Sequence, residues 1–400
     1  MPTGGEGALT LTVRMKVSHE PEQEEAILDL LRRYRDALNY SVRVIIANRA
    51  LSLSKAHKLL YNDLRERYGL PAKVAQDCYR EAIAIAKSWL RNPRRGAVPT
   101  VKSLRMWLTH ELGYRVRGDH VELAGGYRLM VIGYDRRYDD FPNREARLVF
   151  RDGEFTLYVY KRVPRPAKYV PKGVLAVDVN ERQVVVGNSH VEVRIETPTE
   201  RALRYMKLAE RLQEKYSSSR YRAWLRRRGI RRRIRYFHRK AKNILEEWAR
   251  KTSRMIILLA KQGQLAVVRE DLTGLVEGLR RLPKDHRAAL IALGYRRLGY
   301  WIDWQAEKNG VPLFVVEPAG TSSTCPRCGA RLVEVGYRRL RCPRCGFEAD
   351  RDTIAILNIE KRALSQMGGT LASPTAPQMT DVNPNRWGEP VNRPKGTLAL

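Results

Sequence analysis

Two short turns carry the plainest chemistry in the chain. Cys325-Pro-Arg-Cys328-Gly and Cys342-Pro-Arg-Cys345-Gly are near-identical, with thirteen residues between Cys328 and Cys342. A C-x-x-C turn sets two thiolates along one edge of a metal, and the glycine that follows permits the tight backbone that aims amides at sulfur. Two such turns on neighbouring hairpins complete a tetrahedral four-sulfur shell, which suits Zn²⁺. A closed shell leaves no open coordination position, so this zinc would be structural. Redox-active pairs are the alternative, but nothing thioredoxin-like precedes either turn. The fifth cysteine, Cys78, stands alone on a helical face, as an ordinary buried thiol does.

The second set of candidates is acidic. Hydrolysis of a phosphodiester by two metal ions needs acids that converge from different elements and hold hard cations about 3.5–4 Å apart. Asp178 is the only acid in the apolar run Val174–Val179, Glu270 ends the run that starts at Leu265, and Asp271 follows it. Asp350 and Asp352 come just after the second cysteine turn, where the helical pattern Ile354, Leu357, Ile359 begins. Each acid has an ordinary reading of its own: a turn with Asn180, a solvated strand end, a helix N-cap. Taken with the cysteine turns and the charge of the chain, they point together to a metal-dependent nuclease.

The elements that must position these residues fall in two halves. Leu9–Val17 alternates at period two as a strand, and apolar residues at helical spacing follow Pro21. Further helices are expected over Leu53–Tyr68 and Pro71–Leu90. Strands return at Val98–Leu108, His120–Ile132, Ala146–Phe150 and Thr156–Arg162, with Gly125-Gly126 and Asp152-Gly153 as hairpin turns. After a proline-rich linker, Val174–Val179, Gln183–Gly187 and Val191–Ile195 read as consecutive antiparallel strands. A long basic helical region, Pro198–Gln262, leads to the strand Leu265–Glu270, a helix over Pro283–Asn309 and the strand Val311–Val316. This order suggests an α+β protein of several domains, with a mixed α/β sheet in the second half. The expected divisions are a β-barrel-like domain from 1–20 and 96–166, a helical insertion over 21–95, an α/β nuclease domain from 172–320 and 349–365, an inserted zinc ribbon over 321–348 and a disordered tail over 366–400.

Composition narrows the partners. The 400 residues hold 75 Lys plus Arg against 43 Asp plus Glu, a formal net charge of +32. Unbalanced charge of that size is self-repulsive, and a polyanion is the usual reason for keeping it. No run approaches the ~20 apolar residues of a membrane span, no basic amphipathic anchor has a clear apolar face, and the start of the chain lacks a signal-peptide pattern. A cytoplasmic, nucleic-acid-binding protein with no membrane partner is expected. Arg226-Arg227-Arg228 and Arg231-Arg232-Arg233 lie among Tyr221, Trp224, Tyr236 and Phe237, and no acid occurs between Ser217 and Ile244. A solvated helix face would interleave Glu with Arg; arginine forks among aromatic rings suit phosphates and bases.

Four ordered motifs between residues 172 and 362 carry a resemblance. They are Leu175-Ala-Val-Asp178-Val-Asn180; Val267-Val-Arg-Glu270-Asp-Leu272; Thr321-Ser-Ser-Thr-Cys325-Pro-Arg-Cys328-Gly; and Cys345-Gly-Phe-Glu-Ala-Asp350-Arg-Asp352-Thr-Ile-Ala-Ile-Leu-Asn358-Ile. Together they resemble the TnpB (OrfB) family, which transposons encode and which is related to the compact type V CRISPR effectors. The resemblance implies an RNase H-like (RuvC) domain with three acids at one site. Carried over by position these are Asp178, Glu270 and Asp352, binding two catalytic Mg²⁺. Asp350 is a rival for the third role, but its spacing to Asn358 fits less well. Where the family often has Asn-Ala-Ala after this Asp, this chain has Thr353-Ile354-Ala355. The resemblance further implies an RNA-guided DNA endonuclease tied to a transposable element, with guide RNA and target DNA as partners. It also makes the N-terminal half a wedge domain with a recognition insertion. Arg341, beside Cys342, is a candidate neighbour of the scissile phosphate. The rivals are an RNA-guided DNA binder that does not cut, whose signature would be a lost acid, and a zinc-ribbon accessory of transposition, which would not need three acids at element ends.

Overall fold

The computed structural model describes residues 7–93, 95–217, 229–281, 286–367 and 378–382. The chain divides into two compact units, Met1–Pro164 and Arg165–Leu400. Among the described residues no helix is long and apolar enough to cross a membrane.

The first unit is built on β1 (Ala8–His19), whose alternate residues Leu9, Leu11, Val13, Met15 and Val17 are buried. Three helices follow, α1 (Glu24–Asn48), α2 (Leu53–Glu66) and α3 (Ala72–Arg91). Then come β2 (Leu104–Leu108), β3 (Tyr114–Arg117), β4 (His120–Leu123), β5 (Tyr127–Gly133), β6 (Asn143–Arg151) and β7 (Glu154–Pro164). The seven strands form one barrel-like antiparallel sheet in the order β2-β6-β7-β1-β5-β4-β3. Helices and sheet share one apolar core that runs from Met15 through Leu31 and Leu60 to Met106 and Leu157. The turns sit where the glycines predict: Gly125 and Gly126 have φ 100° and 85°, Asp152 and Gly153 have φ 53° and 86°. Pairing in β2 begins only at Leu104 rather than Val98; Pro99, which has no N–H to donate, lies in the part left out.

The second unit holds β8 (Gly173–Val179), β9 (Gln183–Gly187), β10 (Val191–Glu196), α4 (Thr199–Lys215), α5 (Ile230–Gln262), β11 (Leu265–Glu270), α6 (Thr273–Arg281), α7 (His286–Asn309) and β12 (Leu313–Val316). A small three-stranded sheet of β13 (Val333–Gly336), β14 (Arg339–Arg341) and β15 (Glu348–Asp350) precedes α8 (Arg351–Gln366). The larger sheet has the order β12-β11-β8-β9-β10-β16, with β16 (Gln378–Val382) at its edge. β8 runs antiparallel to β9 and parallel to β11, and β11 parallel to β12.

Both faces of this sheet are covered, and strand alternation decides which residue meets which helix. Leu175, Val177, Val184, Val186 and Val267 pack with Trp248, Ile256 and Ile257 of α5 and Leu298 and Ile302 of α7. Val174, Ala176, Val185, Ala266 and Val268 pack on the other side with Ile356, Ile359 and Ala363 of α8. Continuing the period by two places Asp178 and Glu270 on the α8 side. The segment 366–400, expected to be disordered, supplies β16, which pairs in parallel with β10 along Val191–Ile195. An edge strand offers unpaired backbone groups to any nearby extended segment, a constraint that composition does not carry.

Gly187 sets the closeness of β8, β9 and β10. A Cβ there would stand 2.3 Å from the Val191 carbonyl oxygen and 2.9 Å from the Glu192 Cα. Gly187→Ala should force β10 outward and lower stability by about 1–3 kcal/mol, read from the urea midpoint; an unchanged midpoint would show that the hairpin yields freely.

Candidate functional site

β8 and β11 are neighbours in parallel, with Arg269 opposite Val177, so Glu270 stands level with Asp178. Both acids end apolar strands and keep only 8% and 7% exposure. Asp352 occupies the first turn of α8, which crosses the same face, and is 2% exposed. The chain thus brings Asp178, Glu270 and Asp352 to one end of the sheet on one side.

Polar side chains hold each of the three acids, and one of them bridges Asp178 and Asp352. The Asn180 amide donates to Asp178 Oδ2 at 2.8 Å and to Asp352 Oδ1 at 2.9 Å. Gln183 Nε2 donates to Asp352 Oδ2 at 2.6 Å, and the Thr321 hydroxyl to Glu270 Oε1 at 2.7 Å. Arg338, at φ 60° in the hairpin between β13 and β14, donates from Nη2 to Asp352. Arg194 spans Glu192, at 2.8 Å, and Asp350, at 3.2 Å.

Asp350 and Asp352, two residues apart, have different work. Asp350 is the N-cap of α8: its Oδ1 accepts the Asp352 N–H at 2.9 Å. That leaves the Asp352 carboxylate to face the other acids. Arg341 is exposed on β14, and the arginine that meets an acid is its neighbour Arg338. Asn180 was visible in sequence only as a turn partner of Asp178. Gln183, Thr321, Arg194 and Arg338 were not singled out, because their types are common and their partners distant in sequence.

The four cysteines converge as their spacing predicts. Their sulfurs all lie within 4.8 Å of one another, the one such group of three or more Cys, His, Asp or Glu side chains among the described residues. Across the two turns, Cys325 and Cys345 are 3.5 Å apart and Cys328 and Cys342 3.4 Å. Gly329 and Gly346 take φ 75° and 70°, which brings their N–H groups back to the carbonyls of Cys325 and Cys342. The three carboxylates are set wider than the sulfurs. Of the two arginine triplets, Arg231, Arg232 and Arg233 are exposed in the first turn of α5. Arg226, Arg227 and Arg228, with Tyr221 and Trp224, lie outside the described residues.

Residues 295–359 match the family described as Cas12f1-like, TNB domain. A TnpB-like protein of Methanocaldococcus jannaschii is 23% identical over 278 residues, covering 65% of this chain and 96% of its own. A putative transposase of the same organism is 42% identical over 62 residues, 13% of this chain and 57% of its own. Over nearly the whole length of the first of these relatives, the chain is therefore similar to a TnpB-like protein. A protein chain in the cryo-EM structure of a Cas12f1–sgRNA–target DNA complex shares the α+β fold, with a TM-score of 0.52 at 13% identity, over 88% of this chain and 98% of that one.

The electrostatics of the acid cluster follow from crowding. Burial, then the charges of Glu270 and Asp352, push the Asp178 carboxyl up to about 7 against the help of Asn180. Burial likewise raises Glu270, opposed by its bond from Thr321. A carboxyl raised in the folded chain stabilises it below the unfolded value, and that stability is lost as pH climbs through the folded value. Without divalent ions, the protein should therefore lose stability between about pH 4 and pH 7, by up to about 1.4 kcal/mol per unit from Asp178. Asp178→Asn, which has no proton to lose, should flatten the slope of urea midpoint against pH. Identical slopes for the two proteins would reject this account.

Proposed function

We propose that the chain is an RNA-guided DNA endonuclease whose three acids form an RNase H-like (RuvC) site. The observation that carries this reading is the placement of Asp178 and Glu270 level on neighbouring parallel strands, with Asp352 bridged to Asp178 through Asn180. Asp178 and Glu270 are held by a neutral amide and a hydroxyl, Arg338 meets only Asp352 directly, and such an oxygen donor set fits hard divalent cations. Asp178, Glu270 and Asp352 would hold two Mg²⁺. When bound, the metal supplies Lewis acidity and a water acidic enough to attack phosphorus.

The chain's own residues would do the positioning. Thr321 fixes one oxygen of Glu270 and leaves the other free to ligate. Asn180 holds Asp178 and Asp352 at a set spacing. Arg338, on the hairpin beside them, has the fork geometry that suits a phosphate oxygen. The guide RNA and target DNA named for the Cas12f1 complex are the proposed partners here, consistent with the charge of +32. Two surfaces suit a polyanion: the exposed arginines that open α5, and a groove of about 1000 Å³ in the first unit, lined by Arg14, Lys102, Arg147 and Arg151 with Tyr158 and Tyr160. A cytoplasmic setting and an association with a transposable element complete the reading.

Zn²⁺ is proposed for the four-cysteine shell. Cys325 and Cys342 share an apolar cluster with Ile354 and Leu357 of α8, so damage to the shell should travel to Asp352. Elemental analysis should find one zinc per chain, lost or loosened in Cys342→Ser; iron with cluster absorbance would overturn the assignment.

Cleavage is the decisive test. Asp178→Ala, Glu270→Ala and Asp352→Ala should each slow cutting of guide-matched duplex on the order of 10³-fold or more. The triple variant should be little worse, because groups that act as one unit are non-additive. Asp350→Ala should keep cutting and lose about 1 kcal/mol of stability, the cost of an N-cap. The assay uses protein purified with its co-expressed RNA, with Mg²⁺ and with EDTA. Parent-like cutting by all three single variants would falsify the nuclease reading.

A further inference from the structure

A cavity of about 320 Å³ opens where β11 ends, lined by the residues on either side of Glu270 and by one flank of α7. Ligands of open α/β sheets gather at the carboxyl ends of parallel strands, and this volume falls at the lower end of the roughly 300–1,000 Å³ of small-ligand sites. Two tyrosines line it: Tyr295, partly buried, and Tyr300, 55% exposed. Burial, then the charges of Asp178 and Glu181, push the Tyr295 phenol up to about 12, so it stays a neutral donor beside the acids.

Gly299 shows that the space is kept open. A glycine inside a helix costs about 1 kcal/mol against alanine, and close packing is the usual reason for one. Gly294, on the same helix, faces Leu245 at 3.9 Å, whereas a Cβ on Gly299 would meet nothing within 4 Å. Gly299 lines the cavity, so its missing side chain widens that cavity and relieves no clash.

The charge of the lining argues against a phosphate. In a chain of +32, this cavity sets Arg269 and Arg296 against Asp271, Glu277 and Asp303. The Arg269 fork is already taken by Asp303, with bonds of 2.8 and 2.8 Å. Flat phenol rings, with Glu277 and the second oxygen of Asp271 as acceptors beside the engaged Asp303, suit a neutral aromatic ligand that carries amino hydrogens. We propose that this cavity receives an unstacked nucleobase of the single strand whose phosphate lies at the acid cluster, and that it favours bases with an exocyclic amino group. The position of that strand rests on the nuclease reading; the binding of a base does not.

The test therefore reads binding by the full chain in EDTA, where cutting is blocked. Fluorescence anisotropy would compare single-stranded deoxycytidine, deoxythymidine and abasic oligomers of equal length and charge. The parent should bind the cytidine oligomer several-fold more tightly than the other two. Gly299→Leu should shrink the cytidine-to-abasic ratio at least about fivefold, the lower end of one base stack, and leave abasic binding unchanged. Gly299→Ala should raise the melting temperature. If Gly299→Leu folds poorly, Tyr300→Ala makes the same measurement at an exposed position, with Tyr300→Phe restoring the ratio. An unchanged ratio in folded Gly299→Leu or Tyr300→Ala rejects the pocket even if the parent cuts DNA. A lost ratio upholds the pocket even in a protein that never cuts.

Discussion

Like charge taken out of water is the constraint on which the second unit turns. Asp178, Glu270 and Asp352 lie at or near the ends of elements that are otherwise largely buried, and a buried carboxylate left alone costs roughly several kcal/mol. The structure offsets that cost unevenly. Asp352 receives an arginine, two side-chain amides and its own helix start. Asp178 and Glu270 receive only an amide and a hydroxyl. Burial pushes both of these carboxyls upward, and the neutral donors oppose it only in part. A fully neutralised site would be more stable and would attract no cation.

This arrangement depends on the cysteine ribbon more than its small size suggests. Asn358 of α8 donates to the carbonyls of Thr321 and Thr324, both at 2.7 Å, and the Thr321 hydroxyl holds Glu270. In the hairpin midway along the ribbon, the Arg338 carbonyl accepts the Arg351 N–H at 2.8 Å, while its side chain reaches Asp352. The start and the central hairpin of the ribbon are thus each bonded to α8 and to an acid. The four-cysteine cluster, packed on Ile354 and Leu357 of α8, belongs to the same network as Glu270 and Asp352.

The parts of this site legible in the sequence were those with local signatures. An acid closing an apolar strand, as at Asp178 and Glu270, stands out because alternation makes it anomalous. The cysteine turns stand out because spacing alone defines them. The distinction between Asp350 and Asp352 was within reach too, since a helix needs an N-cap and a carboxylate two residues later is free for other work. The supporting shell was hidden for the opposite reason. Arg338 meets Asp352 only because a hairpin returns, Gln183 meets it from another strand, and Thr321 is one unremarkable hydroxyl among many. In the fold, helix α6 and strand β3 went unforeseen: Thr273–Arg281 contains two glycines, and Tyr114–Arg117 is too short to show a period. β16 could not be read because edge pairing is a property of the partner strand.

Attraction and chemistry are kept apart in this chain. A phosphodiester brought to three carboxylates is repelled by them, and arginines packed directly around the acids would cancel the charge that a catalytic cation requires. Under the proposed reading, the exposed Arg231, Arg232 and Arg233 of α5 and the basic groove of the first unit would instead attract a polyanion, at ranges near the ~8 Å Debye length of physiological salt. Among the described residues the arginines near the acids are occupied: Arg194 by Glu192, Asp350 and, at 3.9 Å, Asp352, Arg269 by Asp303, Arg338 by Asp352, and Arg362 by the carbonyls of Glu317 and Ala319. Arg338 alone of these sits on a hairpin. Under the proposed reading its fork would suit a phosphate oxygen as well as a carboxylate, and Asp352 would be one of the acids that hold the cation.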